Sequence, residues 1–227
     1  MNNPFLKAIE LIFTGDSEVF FIAFTSARIS LTAVFIASFF SIPMGVFLTF
    51  KNFRLKRSVI ALLSSLMALP TVVIGLFIYS FLRRNGMLGG WDLLFTPAAI
   101  IIGQTLLAAP LITSMVHTGL SKLDPRFRET LVTLGAGPWN ILKATMWEAK
   151  YVILSAVLAG FGRVIGEVGI SMILGGNIRW FTRTITTTIA MENSKGNFEL
   201  ALALGIILMV LAIVINFLLH LMVKQER

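Results

Sequence analysis

Five long apolar runs constrain this chain more than any other feature. They cover residues 19–50, 59–82, 97–119, 151–174 and 200–223, and few ionisable side chains interrupt them. About 20 apolar residues cross the hydrocarbon core of a bilayer as a helix. Only 13% of the 227 residues are charged and 56% are hydrophobic, too few charges for the solvated surface of a soluble domain this size. The chain reads as an all-α integral membrane protein with five transmembrane helices, one domain over residues 1–227, with no sequence repeat. Pro43 is a candidate kink in the first run; Pro70 and Pro110 lie inside the second and third. Residues 1–13 are too short to span and read as an interfacial helix. Residues 178–197 are threonine-rich and too polar to cross alone, which predicts a short re-entrant or surface helix.

Between the third and fourth runs lies LDPRFRETLVTLGAGPWNILKATM, residues 123–146, within a loop over 121–150. Asp124 suits a helix N-cap and Pro125 the first helical position. Leu123, Phe127, Leu131 and Leu134 recur at helical spacing and predict one apolar stripe. Gly135 ends that helix, because glycine accepts the left-handed conformation at little steric cost. Gly137-Pro138 opens a second helix carrying Trp139, Ile141, Leu142 and Met146. Such a helix pair is either a docking element for a partner or an amphipathic loop on the lipid surface.

Five spans put the termini on opposite sides. Lys51, Arg54, Lys56, Arg57, Lys122, Arg126, Arg128, Lys143, Lys150, Lys224 and Arg227 share one side; Lys7, Arg83, Arg84, Arg179, Arg183 and Lys195 share the other. Eleven against six places the N-terminus outside and the 121–150 loop in the cytoplasm by the positive-inside rule. The net charge of +8 is then accounted for by basic loops that meet anionic lipid, with no need of nucleic acid.

The sequence offers no catalytic constellation. It has no cysteine, so no disulfide framework, thiolate metal site or redox motif is expected. His117 and His220 lie near the ends of separate runs and are too few for a metal site. No phosphate-binding loop of the G-x-x-x-x-G-K-[ST] type occurs, so the chain is not expected to bind ATP by that route and no cofactor is expected. Gly160-Phe161-Gly162-Arg163 superficially suggests a dinucleotide fingerprint, but the spacing is wrong; Gly162 and Gly166 read as a helix-packing face. Arg163 and Glu167, inside the fourth run, are spaced i, i+4. They read as a paired structural couple, with direct substrate contact as the alternative. Arg28 in the first run reads as snorkelling to the outer interface.

Glu129-Thr130-Leu131-Val132-Thr133-Leu134-Gly135, followed by Ala136, Pro138, Ile141 and Leu142, resembles the coupling loop of ABC-importer permeases. Thr130-Leu131 replace the frequent alanine pair, and Trp147-Glu148 replace a frequent Leu-Pro. Ala68-Leu69-Pro70 through Gly75-Leu76 resembles the second-span motif of sulfate, molybdate and tungstate permeases. Gly166-Glu167-Val168-Gly169 and Gly175-Gly176-Asn177-Ile178 resemble the signature of the same branch, and the threonine-rich segment over 182–192 is most similar to tungstate permeases. This resemblance implies the type I ABC-importer permease fold in a prokaryotic cytoplasmic membrane. It implies two copies of the chain forming the pore, two ATPase subunits on the coupling loops, and an extracytoplasmic binding protein delivering a tetrahedral oxyanion, most simply tungstate, with molybdate or sulfate as alternatives. Glu129, Thr130, Leu131, Leu134, Gly135, Ala136 and Pro138 would couple to the ATPase. Pro70, Gly75, Arg163, Gly166, Glu167 and Asn177 would serve the pore or its structure. Arg83, Arg84, Arg179 and Arg183 would attract the anion or acidic partners at the outer face. A passive channel or a membrane protein without transport is the rival from another class; a channel has no need of the Glu129–Gly135 element.

Overall fold

The computed structural model describes residues 4–224, and every regular element in it is helical. The first three residues of the expected interfacial helix and the Gln225-Glu226-Arg227 tail lie outside the described residues. The elements are α1 (Pro4–Phe13), α2 (Ser17–Phe50), α3 (Lys56–Ala68), α4 (Thr71–Leu82), α5 (Pro97–Leu120), α6 (Pro125–Thr133), α7 (Pro138–Glu148), α8 (Lys150–Ile165), α9 (Gly169–Gly175), α10 (Ile185–Lys195) and α11 (Phe198–Lys224). α2, α5 and α11 are each long and apolar enough to cross a membrane. The pairs α3–α4 and α8–α9 reach that standard only together, each broken in the middle, so the chain makes five passes when each pair counts as one.

α2 and α5 run parallel, side by side. Thr105 Oγ1 donates to the Ala33 carbonyl at 3.2 Å, Ser41 Oγ to the Ala109 carbonyl at 3.1 Å, and Thr49 Oγ1 lies 3.0 Å from His117 Nδ1. α8 runs antiparallel to α5, with Gln104 Nε2 donating to the Val164 carbonyl at 3.3 Å. The loop after α2, the α6–α7 segment and the end of α11 therefore gather at one end of the bundle. The start of α2, the loop between α4 and α5, and α10 gather at the other. There Phe95 N donates to the Leu174 carbonyl, and Arg179 reaches Glu18. α1 lies along α11, tied by Lys7 to Glu199 at 2.8 Å.

Two of the expected continuous spans are broken. The run 59–82 bends by 99° at Leu69-Pro70, and 151–174 bends by 62° between Gly166 and Val168. Proline lacks an N–H and pushes the preceding residue out of the helical region, and Leu69 is extended with ψ 139°. Pro43 and Pro110 carry the same chemistry yet stay inside α2 and α5. The difference is tertiary: α2 and α5 bury one another, whereas α3 touches α5 without burying a residue, so less packing holds a helix straight through Pro70. The 178–197 segment behaves as its polarity predicts. α10 covers only its second half and starts at Thr184, whose hydroxyl caps Thr187 N while Thr187 Oγ1 accepts from Thr184 N at 3.0 Å.

Glycines set the closest approaches. A Cβ on Gly45 would sit 2.8 Å from Val116 Cβ, one on Gly160 2.8 Å from Ile112 Cδ1, and one on Gly75 3.2 Å from Ile173 Cδ1. Gly75 thus lets α4 pack on α9. One apolar core joins α2, α4, α5, α8 and α9, around Ile112, Val116, Val164 and Ile170; a smaller one joins Val19, Ile22, Ile185 and Leu204. The phenylalanines of α2 on the opposite face (Phe24, Phe35, Phe39) and Ile213 and Phe217 of α11 are exposed, as lipid-facing residues are.

This arrangement predicts labelling behaviour. Single cysteines at Asn52 and Ser121 will respond alike to a membrane-impermeant thiol reagent in intact cells, and one at Gly90 will respond oppositely. Gly90 has open space around it, whereas a side chain on Gly89 would meet the Arg83 carbonyl at 2.6 Å. Matching responses at Gly90 and Ser121 would contradict the two-ended arrangement.

Candidate functional site

The α6–α7 segment is built from strong local signals. Asp124 Oδ1 accepts from Arg126 N at 2.9 Å, capping α6 as expected. At its other end Gly135 has φ +75°, Gly135 N donates to the Val132 carbonyl and Ala136 N to the Leu131 carbonyl, both at 3.0 Å. These paired bonds across a left-handed glycine are a Schellman ending, which satisfies carbonyls a helix otherwise leaves orphaned. Gly137 then caps α7, with Pro138 at its first position.

The predicted stripe is three-quarters present. Leu123 packs on the bundle core and Phe127 and Leu131 are half-buried, but Leu134 is 77% exposed. Leu134 is the C-cap, and the left-handed turn that follows carries it off the helix face. With Val132, Trp139 and Trp147 it forms exposed apolar surface, flanked by exposed Arg126, Glu129 and Lys143. Glu129, Thr130, Gly135 and Pro138 are likewise exposed; Leu131 and Ala136 are half-buried. Lys143 lies over the Trp139 ring at 5.4 Å and Lys150 over Trp147 at 4.6 Å. An apolar groove of about 390 Å³ runs between α7 and the end of α2, lined by Val46, Phe47, Ile141 and Leu142. A second cavity, about 660 Å³, separates α6 from the ends of α2 and α5. The element thus stands off the bundle with an apolar, charge-rimmed face. Surface of that kind marks a contact with a partner or a membrane.

The intramembrane couple is not formed. Gly166 ends α8, so Glu167 no longer sits one helical turn along from Arg163 on a continuous helix. The Glu167 carboxylate instead turns to α9, where Oε1 accepts from Gly169 N at 2.8 Å and Ile170 N at 3.3 Å. It is 6% exposed, and its own carbonyl accepts from Thr186 Oγ1 at 2.8 Å. Arg163 is exposed, and among the described residues no ion pair or hydrogen bond engages its side chain. Gly162 and Gly166 are also exposed; among the described residues, Ile215 is the side chain that a Cβ on Gly162 would meet, at 3.7 Å, and one on Gly166 would meet none within 4 Å. Pro70 marks the α3–α4 break, and the two breaks lie close together, since a Cβ on Gly169 would sit 2.9 Å from Val72 Cγ2.

At the other end, the outer arginines divide. Arg83 and Arg84 are exposed or nearly so at the loop after α4, but Arg179 and Arg183 are committed. Glu18 accepts from Arg179 Nε at 2.9 Å and Nη2 at 2.6 Å, and from Arg183 Nη1 at 3.1 Å. The hydrogen bond and charge of Glu18 raise the Arg179 guanidinium above its ordinary value. Asn177 has φ +51°; its Oδ1 accepts from Thr187 Oγ1 at 2.9 Å and its Nδ2 faces Met191 Sδ, so it locks a left-handed turn onto α10. Burial pushes the Glu192 carboxyl up, but hydrogen bonds from Lys195 and Asn197, with the charges of Lys195 and Arg183, outweigh it and hold the group below its ordinary value. Sequence spacing gave no signal for the Glu18 cluster, whose partners lie some 160 residues apart. Gln104, a polar residue visible inside the third run, is buried between Val164 and Ser171 with its Oε1 unpartnered among the described residues, partners that spacing does not give.

The comparisons agree with this geometry. Residues 41–227 match the family described as binding-protein-dependent transport system inner membrane component. A tungstate uptake system permease protein of Peptoclostridium acidaminophilum is 42% identical over 93% of both chains. One of Campylobacter jejuni is 32% identical over 95% of this chain and 90% of its own. Among solved structures, a chain of the MetNI methionine ABC transporter in an inward-facing conformation superposes with a TM-score of 0.73 at 20% identity, covering 90% of this chain and 94% of that one.

The Schellman ending yields a prediction. Gly135→Val will destabilise the α6 end by about 1–2 kcal/mol, the cost of a left-handed non-glycine residue, while Gly135→Asn will cost less because asparagine tolerates that region. Amide exchange of residues 126–136 in nanodiscs reads the difference; equal protection in all three proteins would mean that φ is not the constraint.

Proposed function

Because this chain belongs to the family of binding-protein-dependent transport system inner membrane components, we propose that it is the permease of a tungstate importer, driven through alternating access by ATP hydrolysis on a separate subunit. The observation that carries the substrate is the 42% identity, over nearly all of both chains, to a tungstate uptake permease. The reading has two copies of the chain enclosing the path, and two ATPase subunits on the α6–α7 elements. A binding protein on the opposite side delivers the oxyanion, and the N-terminus lies outside. The exposed apolar face of α6–α7, with Glu129, Thr130, Leu131, Leu134, Gly135, Ala136 and Pro138 on or beside it, supports the docking role. A helix pair resting on lipid has no need of Glu129 and Arg126 beside the apolar residues. The chain carries no catalysis on this reading. Pro70, Gly75, Gly166, Glu167 and Asn177 shape the breaks and turns that hold the path open, while Arg83 and Arg84 remain free to meet acidic partners outside.

Deletion of the gene will abolish high-affinity tungsten accumulation, measured by mass spectrometry of cells grown at nanomolar tungstate, and molybdate will compete more weakly. Unchanged tungsten with lowered sulfate would move the substrate to the neighbouring subgroup. Glu129→Lys will weaken co-purification of the ATPase while the chain still inserts; full co-purification and normal uptake would leave α6–α7 a lipid-surface element.

A further inference from the structure

Apart from Arg57 in the first turn of α3, two arginines lie within the membrane-spanning helices, Arg28 on α2 and Arg163 on α8; both are exposed, and neither side chain has a partner among the described residues. Depth and direction separate them. Ala33 is level with Thr105 through their hydrogen bond, so Arg28, five residues nearer the start of α2, lies level with the first turn of α5. A helical side chain leans towards the N-terminus of its own helix. For Arg28 that is the nearer membrane boundary, so its head reaches water by snorkelling.

Arg163 has no such exit. Its neighbour Val164 is level with Gln104, about 10 Å from the start of α5 and about 24 Å from its end. α8 begins at the docking end, so the Arg163 stem leans away from the nearer boundary and towards the middle of the bundle. The adjacent carboxylate is consumed: Glu167 is buried and holds the first N–H groups of α9. Gly162 and Gly166 beside it are exposed like Arg163 itself, and a Cβ on Gly162 would come no nearer than 3.7 Å to Ile215 Cγ2. An unpaired cation at that depth does not face lipid; it faces water or an anion.

We infer that Arg163 lines the translocation path and contacts the oxyanion as it passes. This inference rests on the importer reading above. A guanidinium suits the task because it stays charged at any working pH and presents a planar fork of donors to an oxyanion. It displaces the structural couple expected from spacing: Glu167 holds the helix break, and Arg163 is left to the cargo.

The test uses the complete complex of permease, a cysteine-free ATPase and binding protein in liposomes. The chain has no native cysteine, so Arg163→Cys is the single reporter. It will react with the water-soluble anionic reagent methanethiosulfonate ethylsulfonate, and millimolar tungstate will slow the reaction at least tenfold. Arg163→Gln will lower tungstate uptake at least tenfold with the assembly intact, and Arg163→Lys will keep part of it. An unreactive Arg163→Cys, a reaction that tungstate leaves unchanged, or undiminished uptake by Arg163→Gln would overturn the inference. Loss of assembly in Arg163→Gln together with an unreactive cysteine would give the residue to a contact between copies and overturn it equally. Wild-type complex that carries molybdate or sulfate in place of tungstate, with Arg163→Cys protected by that anion, would overturn the substrate reading and leave Arg163 on the path.

Discussion

The parallel contact between α2 and α5 is the constraint on which the other elements depend. Two parallel neighbours in sequence order need a return pass between them, and in hydrocarbon that pass has to be helical, because no water is present to satisfy an open backbone. The α3–α4 pair supplies it. Gly45 brings the two long helices close enough for Ser41 and Thr105 to bond across the seam, and each hydroxyl lands on a carbonyl of the partner helix. Such interhelical bonds in membranes average about 0.6 kcal/mol, so close packing along the seam carries more of the stability than the hydroxyls do. α8 packs on α5 through Gly160 and also touches α2, and α9 reaches α4 through Gly75.

Hydropathy made the passes legible because it measures only whether a segment tolerates lipid. It carries no information on direction, which is why 59–82 and 151–174 read as straight. Pro43, Pro70 and Pro110 are chemically identical, and only the burial of the surrounding helix decides which of them breaks it. The Arg163–Glu167 couple failed for the same reason: i, i+4 pairing presumes an unbroken helix, and Gly166 ends it. The α6–α7 segment was legible almost to the residue because its signals are local. An aspartate cap, an αL glycine and a proline at the first position act within a few residues of themselves.

Long-range electrostatics is the part no single stretch displays. Read alone, Arg179 and Arg183 are free outward cations; in the fold they grip Glu18 from the opposite end of the chain. The Arg179 contact is a two-pronged, charge-assisted one, but more than half of that side chain is exposed, so solvent screens it and it adds little to stability. Its consequence is positional, since it fastens the turn after α9 to the start of α2. Glu192, Asn197 and Lys195 do the same for the end of α10, where Gly196 takes φ +78°.

The length of α2 has a consequence for the lipid. Its 34 residues extend about 51 Å, some 20 Å more than a typical hydrocarbon core. At the α6–α7 end Val46, Phe47 and Phe50 line a groove shared with Ile141 and Leu142 of α7. The protein thereby carries its own apolar cover past the acyl chains. Hydrophobic mismatch costs a fraction of a kcal/mol per Å when the bilayer has to stretch or thin around a helix. Here a thicker bilayer meets more of the same greasy rod, and a thinner one leaves at its boundary a stretch that faces α7 across that groove.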